Sequence, residues 1–245
     1  VDPSANLTLR LLGGFSLQNL ANEVLLSPAG ERLLAFVALR DAAPRHTVAF
    51  RLWADHTEEQ ANSCLRSTLW RLPKPGGVAL IRTAGGRLRL DRQLVVDIQV
   101  ARRQVESWPA DDAPPDAIGV ESFASDLLPA WYDDWLIIER ERHRQLRLHA
   151  LERLSAWYTA RGQFATAIEA GLRAVAGDPL RESAHRCLVR AHLAEGNVSE
   201  AVRQTRSYLK LLGEAGLPAR LSPHMEELTF ASFNWPQLSR SRSSM

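Results

Sequence analysis

The chain has 245 residues, 45% of them hydrophobic and 24% charged, with 30 Lys and Arg against 28 Asp and Glu and a formal net charge of +2. That length allows one or two domains with ample material for a core, and the composition excludes a disordered chain. Two cysteines, Cys64 and Cys187, exclude a disulfide framework; with no apolar run near the roughly 18 residues of a membrane span and no signal-peptide core, a soluble cytoplasmic protein is expected.

The first ninety residues alternate between strand and helix signals. LTLRLL (7–12), FSLQ (15–18) and EVLL (23–26) read as short strands around the Gly13-Gly14 turn. Ser27 then Pro28 is a helix start, a capping hydroxyl followed by proline at the first helical position. The helix it opens, 29–40, is apolar around much of its circumference and so is expected to be buried. A short second helix, 46–53, pairs Val48 with Leu52 and Ala49 with Trp53 one turn apart.

A third helix is expected over 58–72. Ala61, Leu65, Leu69 and Leu72 form its inward stripe, which leaves Ser63, Arg66, Ser67, Trp70 and Arg71 facing out. Pro73 and Pro75 stop it. VALIRTAGGRLRL (78–90) then reads as a hairpin turning at Gly85-Gly86. Charge gathers here. Residues 60–92 hold Arg66, Arg71, Lys74, Arg82, Arg87, Arg89 and Arg92 against Asp91 alone.

Strands, three helices and a basic hairpin make the order of a winged helix-turn-helix. The same order also suits an α+β core whose third helix happens to expose two arginines. A cationic helix face together with a cationic hairpin favours the winged helix, since a groove-reading helix and a wing need both.

From about residue 95 the pattern is almost wholly helical: 97–108, an acidic proline-bearing stretch at 109–116, a long helix from about Asp134 to Ala160, then 163–176, 180–195 and 197–212. Gly162 and Gly196 lie 34 residues apart, as do Ala167 and Ala201, the period of tetratricopeptide-like helical hairpins. Asn197 with Glu200 reads as a capping box. The fold class is therefore α+β, mostly α. Residues 1–94 are expected to be the winged helix, 95–230 the helical domain and 231–245 a flexible tail.

LLP-W-DDW---ERER, opening at Leu127, and DPLRE-AHR-L--A, opening at Asp178, resemble the bacterial transcriptional activator domain of the Streptomyces antibiotic regulatory protein family. LRLLGGFSL (9–17), Leu52-Trp53, Arg71-Leu72 and LIRTAGGRLRL (80–90) match that family's response-regulator-type winged helix more loosely. The resemblance implies a transcriptional activator that binds double-stranded promoter DNA as a homodimer and recruits RNA polymerase through its core or sigma factor. It puts Asn62, Arg66, Thr68 and Arg71 at contact positions of the DNA-reading helix, with Thr68 nearer the buried stripe. From the outward face and the basic hairpin, DNA contacts are also expected from Ser63, Ser67, Trp70 and Lys74 and, on the wing, from Arg82, Thr83, Arg87 and Arg89. The resemblance places the polymerase-contacting loop at Ala54, Asp55, His56, Thr57 and Glu58. Three features depart from the family: Pro73-Lys74-Pro75 shortens the third helix, Trp70 replaces a small polar residue, and Arg87 replaces the usual wing aromatic.

No enzyme, cofactor or metal site is expected. Asp133 and Asp134 suit a helix start better than paired acid–base carboxylates. His185 and His192 sit roughly 10 Å apart by helix rise, too far to clamp one ion. No phosphate-binding Gly-x-x-x-x-Gly-Lys loop occurs. The departures at 70 and 73–75 leave a second reading, a tetratricopeptide-type interaction module whose winged helix no longer reads specific DNA. A third, an activator sensing a small molecule, has no residue pointing to its ligand.

Overall fold

The computed structural model describes residues 7–40, 42–109, 114 and 120–233, which fall into two units. One runs as far as Pro109 and takes in Ser125–His143; the other is Ala110–Ala124 with the chain from Arg144 onward. The first unit contains, in chain order, β1 (Leu7–Arg10), β2 (Ser16–Asn19), β3 (Asn22–Glu23), α1 (Pro28–Ala38), β4 (Ala43–Pro44), α2 (Arg45–Leu52), α3 (Glu58–Arg71), β5 (Ile81–Ala84), β6 (Arg87–Leu90), β7 (Leu94–Val96) and α4 (Asp97–Ser107). Helix α5 (Leu136–Ala160) begins there and continues in the second unit, which adds α6 (Phe164–Gly177), α7 (Glu182–Glu195), α8 (Val198–Glu214) and α9 (Pro223–Phe233).

Two small sheets frame the first unit, ordered β3-β2-β1-β7 and β4-β6-β5. Leu9 pairs antiparallel with Leu17 and parallel with Val96, which encloses β1. The Ser27 hydroxyl accepts the Gly30 amide at 3.2 Å and Pro28 opens α1, as the sequence indicates. Leu33 to Ala38 are all buried, so α1 is the axis of the core. Leu127, Leu128, Trp135 and Leu136 join that core from the 125–143 segment. There the Leu128 amide donates to Leu11 O at 2.9 Å, and the Arg140 guanidinium caps the carbonyls of Leu127, Leu128 and Trp131.

The second unit is a run of antiparallel helices. Ala167 and Ala201, the pair 34 residues apart, are both fully buried, and an added carbon on Gly171 would lie 2.7 Å from a Leu188 methyl. Close approach of backbones at small residues is what builds this repeat. Met225 of α9 fills the end of the stack beside Val189 and Ala201.

Several expectations change. Only Asn22–Glu23 of the third strand pairs, because α1 starts at Pro28 and Leu25 is 83% exposed. Asn197 does not cap α8 with its side chain; it accepts from the Ser199 hydroxyl while Glu200 pairs with Arg203. Its backbone is already committed, the Asn197 amide donating to His192 O at 2.8 Å to close α7. Strands β4 and β7 and helix α9 were not anticipated. Ala231–Phe233 close α9, and the rest of the expected tail lies outside the described residues, as does most of the acidic stretch 109–116.

Candidate nucleic-acid interface

A capping box fixes where α3 begins. The Thr57 hydroxyl accepts the Gln60 amide at 3.3 Å, and the Gln60 side chain accepts the Thr57 amide at 3.1 Å. With the start fixed, the helical period places Ala61, Leu65 and Thr68 on the core and turns Ser63, Arg66, Ser67, Trp70 and Arg71 outward. Asn62 is half-buried at the edge. Thr68 is the correction among the expected contacts. It lies three residues past Leu65, within the buried arc, and is 8% exposed, so it supports the helix instead of facing a ligand.

Arg66 and Arg71 form no ion pair among the described residues. Both charges face solvent. Trp70, 86% exposed, adds an apolar surface between them. Helix α3 ends at Arg71, because Leu72 is already extended ahead of Pro73, and Lys74 follows, exposed, in the connecting turn.

The hairpin closes through Gly85-Gly86, both at positive φ (56° and 70°), the two-residue turn that suits strand twist. Its register sets Arg82 opposite Arg89 and Ala84 opposite Arg87 on one face, while Leu88 on the other face is fully buried. Arg82 is ion-paired to the buried Asp91, and the Arg87 guanidinium donates to Ala42 O at 3.1 Å. The Gln93 amide and the Arg82 guanidinium hold the Asp91 carboxyl below the usual carboxylate range. Arg89 and Thr83 are exposed. Arg87 and Arg89 line a cleft with Arg40, Arg51 and the first turn of α5; no α3 residue lines it.

Ala54, Asp55, His56, Thr57 and Glu58 are all exposed between α2 and α3, braced by the His56 amide on Trp53 O at 3.1 Å. Two of them have structural roles: Thr57 is the helix cap, and Glu58 sits at the positive end of α3.

The other candidates resolve as structure. Asp133 binds Arg32 Nε at 2.8 Å and the Trp135 indole at 3.1 Å, while its carbonyl accepts the Leu136 amide. The helix start therefore uses its backbone, and the carboxylate is an ion-pair partner. His185 is buried between Pro179 O at 2.9 Å and the Gln204 amide at 2.7 Å. Burial raises the Cys187 thiol to about 11, and among the described residues no three His, Cys, Asp or Glu side chains gather to hold a metal. Sequence reasoning missed Arg40, Arg51 and Arg142 as neighbours of the wing arginines. Nothing local could have joined them, since they come from the end of α1, from α2 and from α5.

Residues 119–229 match the model for the bacterial transcriptional activator domain. The matched stretch follows the winged helix in the chain. The chain carries a bacterial transcriptional activator domain. Among solved structures the chain is similar to Mycobacterium tuberculosis EmbR, in a complex with a low-affinity phosphopeptide, at a TM-score of 0.69 and 15% identity. The likeness covers 94% of this chain and 65% of that one, so the chain spans about two thirds of the length of the structure it matches. At that identity the likeness carries the fold, a winged helix ahead of an all-α domain. No curated protein matches. The matched domain is of the kind found in bacterial transcriptional activators. No helix among the described residues is long and apolar enough to cross a membrane.

Proposed function

We propose that the chain is a DNA-binding transcriptional activator that holds promoter DNA with α3 and the hairpin and recruits RNA polymerase. In this reading residues 1–94 act as the DNA-binding part and 95–230 as the activator domain. The observation that carries it is the outward face of α3. Two unpaired arginines stand among Ser63, Ser67 and Trp70, ahead of a bacterial transcriptional activator domain. Arg66 and Arg71 reach base edges or phosphates of the major groove, and Trp70 offers its ring to a thymine methyl or a sugar. Arg82, Arg87 and Arg89, with Lys74, hold the backbone. The exposed loop Ala54–Glu58 is the surface offered to polymerase or sigma factor, and two copies bind together on repeated half-sites.

Selecting sites from a random duplex library tests this directly. The expected result is an enriched motif with fixed half-site spacing, lost in the Arg66→Ala/Arg71→Ala variant. The end of α3 at Arg71 favours one other reading, an interaction module without specific DNA reading. That reading is supported if no duplex binds even at low salt.

A further inference from the structure

Several arginines of the protein are matched by acids. Arg32 pairs with Asp133, Arg173 with Glu121 and Glu169, and Arg181 with Glu152. One cleft gathers arginines with little such matching. Arg40, just past α1, Arg51 on α2, Arg87 and Arg89 on β6 and Arg142 on α5 line a single cleft of about 820 Å³. All lie within the first unit.

Two acids share the cleft, Asp134 and Glu139. Glu139 is buried and already engaged, with Arg142 at 3.0 Å, Arg102 at 3.3 Å and Arg40 at 3.9 Å. It anchors the cluster without neutralising the rest. Arg51 and Arg89 form no ion pair among the described residues, and the one hydrogen bond of Arg87 goes to an uncharged carbonyl. Asp134, the other acid lining the cleft, is outnumbered by Arg51, Arg87 and Arg89. The cluster is also held in place: the Arg40 guanidinium lies 3.8 Å over the Phe36 ring. Burial depresses the pKa of Arg40, and the charges of Arg51 and Arg142 depress it further against the opposing pull of Glu139. Mutual repulsion of this kind is relieved by an anion.

The shape selects among anions. Arg87 and Arg89 alternate with the buried Leu88 and so project from the same face, and guanidinium forks suit the paired oxygens of phosphate. Leu39 and Ile138 give one wall an apolar edge. A cleft of this size falls in the range that holds small ligands, roughly 300–1,000 Å³. We propose that it binds a small anion carrying two or more linked phosphates, as in a nucleotide or a free polyphosphate. It shares Arg87 and Arg89 with the proposed wing contacts but does not depend on them, because no α3 residue takes part.

Isothermal titration of the full chain with tripolyphosphate, ATP and GTP, without DNA, tests the site. Saturable one-to-one binding is expected. It should weaken about tenfold or more in the Arg51→Gln/Arg142→Gln variant and be unchanged in Arg66→Ala/Arg71→Ala. Arg51→Gln alone guards against misfolding, since Arg51 has no partner to lose, and it should weaken binding in the same direction. Tighter binding of a nucleotide than of tripolyphosphate assigns the apolar edge to a base; equal binding assigns the site to the phosphates alone. Absence of saturable binding at low salt, equal competition by sulfate, or unchanged affinity in Arg51→Gln overturns the proposal. Failure of α3 to bind DNA would leave all of these readouts intact.

Discussion

Arg82 on β5 and Asp91, the residue after β6, form an ion pair in which the acid is buried and the base is exposed. The hairpin register puts Arg82 directly across from Arg89, a like-charged pair that opposes strand pairing. Asp91 offsets this from below. Asp91→Asn keeps an acceptor for the Gln93 amide but removes the charge, and should cost the first unit about 1 kcal/mol, kept small by solvent around Arg82. The carboxyl is depressed in the fold, so its contribution is present above the ordinary value of 3.8 and is lost as pH falls through the folded value. Urea melts from pH 2 to 7 should show a flatter acid limb in the variant. Parallel limbs would contradict the pairing.

Asp97, at the start of α4, has a tighter role. Both carboxylate oxygens accept the Leu11 amide at 3.0 Å, and Leu12 and Ile98 donate at 3.0 and 2.6 Å. Burial pushes its pKa up against those three amides. Asp97→Ala strands the amides at the end of β1, one on a fully buried residue, and should destabilise the first unit by about 2–4 kcal/mol. Hydrogen exchange at Leu11 and Leu12 should accelerate more than exchange across β2.

Local signals of this kind decided how much the sequence revealed. Ser27-Pro28, Gly85-Gly86 and the stripe through Ala61 and Leu65 each act within a few residues, and each element stands where its signal lies. Strands β4 and β7 are two and three residues long and exist because Ala43 meets Leu88 and Leu9 meets Val96, partners about forty-five and ninety positions away. No local pattern encodes such a meeting. The candidate interface divides likewise. The outward face of α3 follows from helical period, with Thr68 misplaced because the resemblance, not the period, puts it among the contacts. The arginine cleft, assembled from four elements, was invisible.

Two glycines in helices should respond to alanine with opposite signs. A carbon added at Gly171 of α6 meets Leu188 of α7 at 2.7 and 2.9 Å, and Gly171→Ala should cost about 1–3 kcal/mol through overpacking. Gly213 in α8 has nothing within 4 Å, so Gly213→Ala should gain up to about 1 kcal/mol from helix propensity. Thermal melts that moved the same way would refute the packing described for α6 and α7.

His185 gives the helical unit a pH dependence. Its Nε2–H donates to Pro179 O, its Nδ1 accepts from the Gln204 amide, and its ring lies 4.5 Å from Tyr208. Protonation would set a second N–H against the Gln204 donor. Burial lowers the pKa below 6.5, with Pro179 O and Glu182 opposing. The unfolded chain therefore takes the proton first, and stability present above pH 6.5 is lost as pH falls through the folded value. The slope cannot exceed about 1.4 kcal/mol per pH unit for one proton, and it should shrink in His185→Gln. Guanidinium melts between pH 5 and 8 check it.

The proposed DNA contacts differ from all of these in leaving stability alone. Arg66 and Arg71 are exposed and have no partner to abandon, so Arg66→Ala/Arg71→Ala should melt as the parent does. Its affinity for duplex should fall, and so should the salt dependence of binding: each arginine on a phosphate adds about 0.9 to the slope, so losing two lowers it by about 2. A smaller change in slope with a loss of about 1–3 kcal/mol at one base pair would instead mean that one of them reads guanine. Fluorescence anisotropy from 50 to 300 mM salt separates these outcomes, since phosphate contacts weaken all sequences alike and a base contact does not. An unchanged slope with unchanged affinity would remove α3 from the interface.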